Sequence, residues 1–350
     1  MSGYEKIFDP PLVPKPVPAE HLADRAAASA YVYDENLVLA VNVALATRRP
    51  LLLRGRPGTG KSSLARNVAM LLGRRFYPRT ISSRTQARDL LWTVDDVARL
   101  SDATSPDGAG DRASYVRPGV LWWAFSPETA AWRGIGIGSA SDDLLPGPGP
   151  DDVPGQVSGP GLGAAPGRLP DPNEGVAEAA EAVVLLDEID KADPDVPNDL
   201  LEPLGLYRFR TENGDLVEAG HAPLVVLTTN EERDLPKAFL RRCVVHVLPL
   251  PTRRRLREIA LVQLGPPVDS LYDDIVRALA PAGPAAGAAA GPAGVGGVDG
   301  VADDEHVDVS IAEFLDAVAA ARRLGVRPGH PRWPDLLAAT TSKPATVDLR

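Results

Sequence analysis

Gly55-Arg56-Pro57-Gly58-Thr59-Gly60-Lys61-Ser62 sets three glycines, a lysine and a hydroxyl in the spacing G-x-x-x-x-G-K-[ST]. Residues of these types can cradle a polyphosphate. Glycines let successive backbone N–H groups turn toward phosphate oxygens, and the start of a following helix adds positive potential. The Lys61 ammonium would reach β- and γ-phosphates, and the Ser62 hydroxyl would ligate Mg2+, with Ser63 completing the candidate nucleotide contacts. The flanking residues supply the elements this chemistry needs. Leu51-Leu52-Leu53 reads as a short buried strand. Behind the loop, Leu64, Val68, Leu71 and Leu72 recur at helical spacing until Gly73 offers a left-handed helix end.

A second group lies at the end of the apolar run Val183-Val184-Leu185-Leu186, where Asp187 and Glu188 follow directly. Such a run suits a parallel strand, whose carboxyl end is where ligands bind. Asp187 would hold the hydration shell of Mg2+, and Glu188 would orient and polarise an attacking water. A third strand, Leu224–Thr229, ends at Asn230, whose amide can bond that water or the γ-phosphate. Asp190-Lys191-Ala192-Asp193 imitates the guanine-selecting Asn-Lys-x-Asp. Its first residue differs, and it follows the acidic strand instead of ending a strand of its own, so the expected nucleotide is ATP.

The bulk sequence narrows the setting. With 350 residues, 44% of them hydrophobic, the chain has room for a core domain and a smaller companion. A net charge of −10 argues against a nucleic-acid partner, and Arg253, Arg254, Arg255 and Arg257 read as a solvated helix face. Cys243 is the single cysteine, which excludes an internal disulfide. His21, His221, His246, His306 and His330 have no metal-ligand spacing. Trp122 and Trp123 read as buried packing. With neither a signal-like N-terminal run nor a stretch of about 18 apolar residues, the expectation is a cytoplasmic protein without a membrane span.

Along the chain, residues 1–19 read as a proline-rich arm, 20–250 as an α/β core and 251–350 as a helical domain. Gly and Pro dominate 134–175, read as a disordered insertion, and 281–300 reads as a flexible loop. Asn213-Gly214 predicts a hairpin within 207–218. Residues 234–242 predict a short capped helix ending in Arg241 and Arg242. Ser310-Ile311-Ala312-Glu313 is a capping box for a helix that runs to Leu324 and stops at Gly325.

The phosphate loop, Asp187-Glu188, Thr228-Thr229-Asn230 and the following Leu235–Cys243 segment, in this order, resemble the Walker A, Walker B and sensor-1 elements of AAA+ ATPases. The MoxR branch is the most similar, over about residues 36–265. The resemblance implies an α/β fold, a P-loop AAA+ parallel-sheet nucleotide-binding domain followed by a small all-α lid domain. It implies a homo-oligomeric ring, a hexamer, that hydrolyses ATP with Mg2+ to remodel or activate a protein client, such as a von Willebrand factor A domain protein. It also implies an arginine finger in trans, for which Arg242 is the first candidate and Arg241 the second, and a β-hairpin before the sensor strand. Two departures stand out. Lys61 and Asp187 lie 126 positions apart, and the insertion at 134–175 accounts for much of that length. The helix at Ser310 opens without the expected sensor-2 arginine, and Arg322 and Arg323 fall late along it. The alternative on the same core is a nucleic-acid-associated translocase or restriction-type NTPase, which calls for a basic pore or a DNA-reading domain. A nucleotide switch without turnover is disfavoured by Glu188 and Asn230, which a pure binder does not need.

Overall fold

The computed structural model describes residues 4–11, 31–104, 112–134, 168–173, 181–267, 269–279 and 306–341. In chain order, α1 spans Glu35–Thr47, β1 Leu51–Arg54, α2 Lys61–Leu71, β2 Arg75–Thr80 and α3 Ala87–Leu91. Then come β3 Trp92–Val94, α4 Asp96–Ala103, β4 Val116–Pro118, α5 Val120–Phe125 and α6 Pro127–Ala131. The next stretch holds β5 Ala182–Asp187, α7 Asp195–Asp199, α8 Leu201–Leu206, β6 Arg208–Arg210 and β7 Leu216–Glu218. β8 Leu224–Thr229, α9 Lys237–Arg242 and β9 Val244–Val247 follow, and α10 Arg253–Leu264, α11 Leu271–Leu279, α12 Ile311–Leu324 and α13 Trp333–Thr340 complete the described chain.

Five strands form one parallel sheet in the order β2-β5-β8-β1-β9, with helices flanking it and a helical C-terminal part. Sequence reasoning predicts this α/β class, and the structure has it. The apolar runs explain the sheet's interior. Every residue of β8 is buried, as is every residue of β5 before Asp187, which requires cover on both faces. β2 is an outer strand and contains Pro78, which has no N–H to donate. Phe76, two residues earlier, directs its backbone outward to Asn173, so Pro78 faces the same way and costs the ladder no bond.

The chain divides into two compact units. One comprises Asn42–Leu52 and Val68–Val245. Its core gathers Trp122, Phe125, Val184, Leu186, Leu227 and Phe239 among others. Trp122 is fully buried, stacks edge-on with Phe209 at 5.6 Å and donates its indole N–H to Thr129 Oγ1 at 3.0 Å. The expectation of packing for this tryptophan holds. β6 and β7 form the hairpin expected around Asn213-Gly214, with Gly214 at a φ of 87°.

Most of the expected insertion at 134–175 lies outside the described residues, but its end does not. Leu169 N donates to Ala131 O at 2.8 Å, and Tyr77 Oη donates to Asp171 Oδ1 at 3.1 Å. Asn173 accepts from Phe76 N at 3.2 Å and donates to Phe76 O at 3.1 Å, so its amide stands in for a strand partner on the open edge of β2. The expected loop at 281–300 lies outside the described residues.

The other unit comprises Met1–Val41, Leu53–Asn67 and His246–Arg350. Its helical core is built by α10, α11, α12 and α13 around Leu256, Tyr272, Ile275, Phe314, Val318 and Leu336. Buried Phe314, Ala317, Val318 and Ala321 mark one face of α12 at helical spacing. The Ser310 capping box and left-handed Gly325 bound that helix as expected. Arg322 donates to the carbonyls of Leu264 and Pro266 and lies over the Tyr272 ring, which occupies it in packing α10 and α11. Most of the expected arm at 1–19 lies outside the described residues. Within it, Phe8 is buried edge-on against Tyr33 at 5.4 Å.

Candidate functional site

The phosphate loop joins β1 to α2. Gly55 approaches the backbone so closely that a Cβ there would stand 2.7 Å from Leu248 O. Gly58 has a φ of 75°, and a Cβ there would stand 2.7 Å from Ser310 Cβ. Both positions exclude side chains, by the close neighbour and by a positive φ, which at Gly55 is 146°. Thr59 is buried and donates through Oγ1 to Arg56 O at 2.9 Å, tightening the turn. Arg56 pairs with Asp308, and Ile311 N donates to Gly58 O at 3.1 Å. Loop and α12 are therefore directly joined.

Lys61 is buried and bends back on its own loop, donating through Nζ to Gly55 O at 2.6 Å and Arg56 O at 2.8 Å. Those carbonyls hold the ammonium at the loop. Ser62 and Ser63, at the start of α2, are exposed, as are Arg56 and Pro57. α2 departs from the expected pattern. Leu64, Ala65, Val68 and Ala69 are buried, whereas Leu71 is 44% exposed and Leu72 half-buried. Buried Asn67 lies on the covered face and accepts from Tyr33 Oη at 2.7 Å.

In the other unit, β5 and β8 are paired in parallel, so Asp187, Glu188 and Asn230 emerge at neighbouring strand ends. Thr228 Oγ1 donates to Asp187 Oδ1 at 2.5 Å and accepts from Glu188 N at 2.9 Å. Asn230 Nδ2 donates to Glu188 Oε1 at 3.2 Å, and Lys191 Nζ donates to Glu188 Oε2 at 2.8 Å. Thr228 and Lys191 are absent from the expected site residues. A pair of threonines closing an otherwise apolar buried strand is the available signal for the first. The second was visible only as part of a failed guanine motif.

Arg241 and Arg242 close α9 with exposed side chains. The expected capping of this helix differs. Its N-cap is Pro236, which has no side-chain acceptor, and the helix is secured at the opposite end. Arg49 donates to Arg241 O at 2.6 Å, Cys243 O at 2.7 Å and Arg242 O at 3.1 Å, satisfying carbonyls that have no partner within the helix. Beside it, burial pushes the Cys243 thiol up to about 12, against a smaller opposing pull from Arg49, and leaves it a packing group.

The model of the ATPase family associated with various cellular activities (AAA) matches residues 51–249. That span is more than half of the chain, and the chain belongs to this family. Membership carries nucleotide binding with it. Among solved structures, the chain is similar to a crystal structure of a candidate ATPase from Cytophaga hutchinsonii, with 14% identity and a TM-score of 0.39. The likeness covers 69% of this chain and 53% of that one, so the chain spans about half of the structure it matches. No curated protein matches. Among the described residues, no helix is long and apolar enough to cross a membrane.

Proposed function

We propose that the protein is an ATP-hydrolysing member of the MoxR branch that works as a homo-oligomeric ring, a hexamer, to remodel or activate a protein client. The observation that carries the hydrolytic part is the bond between Asn230 and Glu188, which pairs a water-orienting amide with a general base. Gly55 to Ser63 bind the triphosphate through loop N–H groups, and Lys61 leaves the carbonyls of Gly55 and Arg56 to contact β- and γ-phosphates. Ser62 supplies a hydroxyl and Asp187 a carboxylate of the hard oxygen kind that Mg2+ takes, and Thr228 fixes the rotamer of Asp187. The ion, when bound, offsets charge on the phosphates. Glu188 takes the proton of the attacking water.

Arg242, or Arg241 beside it, serves the neighbouring subunit as an arginine finger. The client, such as a von Willebrand factor A domain protein, follows from the MoxR resemblance. The working division we assign is an ATPase core over 20–250 and a lid over 251–350.

The test is a Glu188→Gln variant. The amide cannot act as a base, so the variant is expected to bind ATP as the wild type does and to hydrolyse it at least 100-fold more slowly. Equal turnover by the two proteins would overturn the mechanism. A preference for GTP in the same assay would overturn the nucleotide assignment.

A further inference from the structure

Glu188 has a φ of 62°, a left-handed conformation uncommon for a residue with a side chain. Both oxygens of its carboxylate are engaged, Oε1 by Asn230 and Oε2 by Lys191. Lys191 ends the one-turn helix Ile189–Lys191, three residues on, so the contact is made locally and persists without help from distant segments. The side chain of Lys191 remains 39% exposed and can move.

Two more carboxylates act on the same ammonium. The hydrogen bond to Glu188 does most to raise the pKa of Lys191; desolvation opposes it, and the charges of Glu188, Glu232 and Asp190 add smaller upward pulls. Glu232 is exposed, and its backbone N–H donates to Asp190 Oδ2 at 3.0 Å, which holds this acidic segment close to the lysine. Asp190 is 3% exposed, and its Oδ1 is buried without a hydrogen-bond partner. Lys191 thus has a second carboxylate to pair with when it leaves the first.

We infer that Lys191 is a latch on Glu188: paired with Oε2 it restrains the carboxylate, and transfer of its ammonium to Glu232 releases Glu188 to act on water. The inference rests on the proposed reading of Glu188 as the base. A carboxylate oxygen that accepts from an ammonium has that lone pair committed and cannot turn it to a water. A partly exposed pair is weak, which a latch that opens once per turnover requires. Its loss corresponds to a change of about two- to fivefold in rate. Lys191 is a positioning residue on this account, since it touches the base and not the nucleotide.

The experiment measures kcat and KM for ATP, together with melting temperature, in the full chain. The variants are Lys191→Ala, Lys191→Gln, Lys191→Arg, Glu232→Gln and the Lys191→Ala/Glu232→Gln double. Lys191→Ala and Lys191→Gln are expected to raise kcat by about two- to fivefold at unchanged KM. Lys191→Arg, which keeps the charge, is expected to stay near the wild type. Glu232→Gln is expected to lower kcat when Lys191 is present and to change nothing when it is absent. Lys191→Gln keeps the chain length and decides the matter should Lys191→Ala not fold. A folded neutral variant with kcat at or below that of an active wild type overturns the latch, as does an equal effect of Glu232→Gln in both backgrounds. A wild type without ATPase activity overturns the reading of Glu188 beneath it.

Discussion

Gly58 and Gly73 share a left-handed backbone, with φ of 75° and 63°, and differ in what surrounds them. A Cβ at Gly73 meets nothing within 4 Å, while one at Gly58 would strike Ser310. Gly73→Ala should therefore cost about 1 kcal/mol in stability from its dihedral alone and leave nucleotide affinity intact. Gly58→Ala adds a collision inside the phosphate loop and should weaken binding of a fluorescent ATP analogue by at least about tenfold, a displacement of about 1.4 kcal/mol. Equal affinities of the two variants would mean that the loop yields to the extra methyl. Residue types at this scale were legible in the sequence, because phosphate chemistry demands glycine, lysine and hydroxyl at fixed spacing. Postures were not. That Lys61 turns back to Gly55 O, or that Lys191 reaches Glu188, depends on partners that the motif does not encode.

At the scale of elements, α9 shows how one side chain can hold a helix that lacks a start signal. Arg49 places a single guanidinium on three carbonyls at its end. Arg49→Ala should destabilise the protein by about 1 kcal/mol and lower the melting temperature by about 2 °C. Arg49→Lys, with a point charge in place of a planar fork, should recover only part of this. A melting temperature unchanged in both would mean that α9 is held by Phe239 in the core alone. β5 and β8 were legible as elements because strands covered on both faces are continuous apolar runs. Helix α2 was legible in place, but neither the burial of Asn67 nor the exposure of Leu71 could be read from the spacing of its leucines. The edge cover by Asn173 was hidden because a Gly- and Pro-rich composition, averaged over 134–175, conceals the few side chains at its end that make specific bonds.

For the molecule as a whole, the order of three strand ends was sufficient to give the sheet's class, because a phosphate loop, an acidic strand and a polar-ended strand have few parallel arrangements. The assembly we propose predicts complementation. Arg242→Ala should bind ATP yet turn it over very slowly, since an arginine finger is typically worth about 10³–10⁵ in rate. Lys61→Ala should fail to bind. Mixing the two should restore part of the activity, measured across several ratios beside oligomer size by light scattering. Mixtures that co-assemble and stay inactive at every ratio would return Arg241 and Arg242 to the solvated surface. Because Ile311 N is bonded to Gly58 O and Arg56 to Asp308, the loop and the start of α12 share one mechanical state. Thermodynamic reciprocity then binds both ends: if nucleotide changes how readily α12 is displaced, a protein that pulls on α12 changes nucleotide affinity by the same factor.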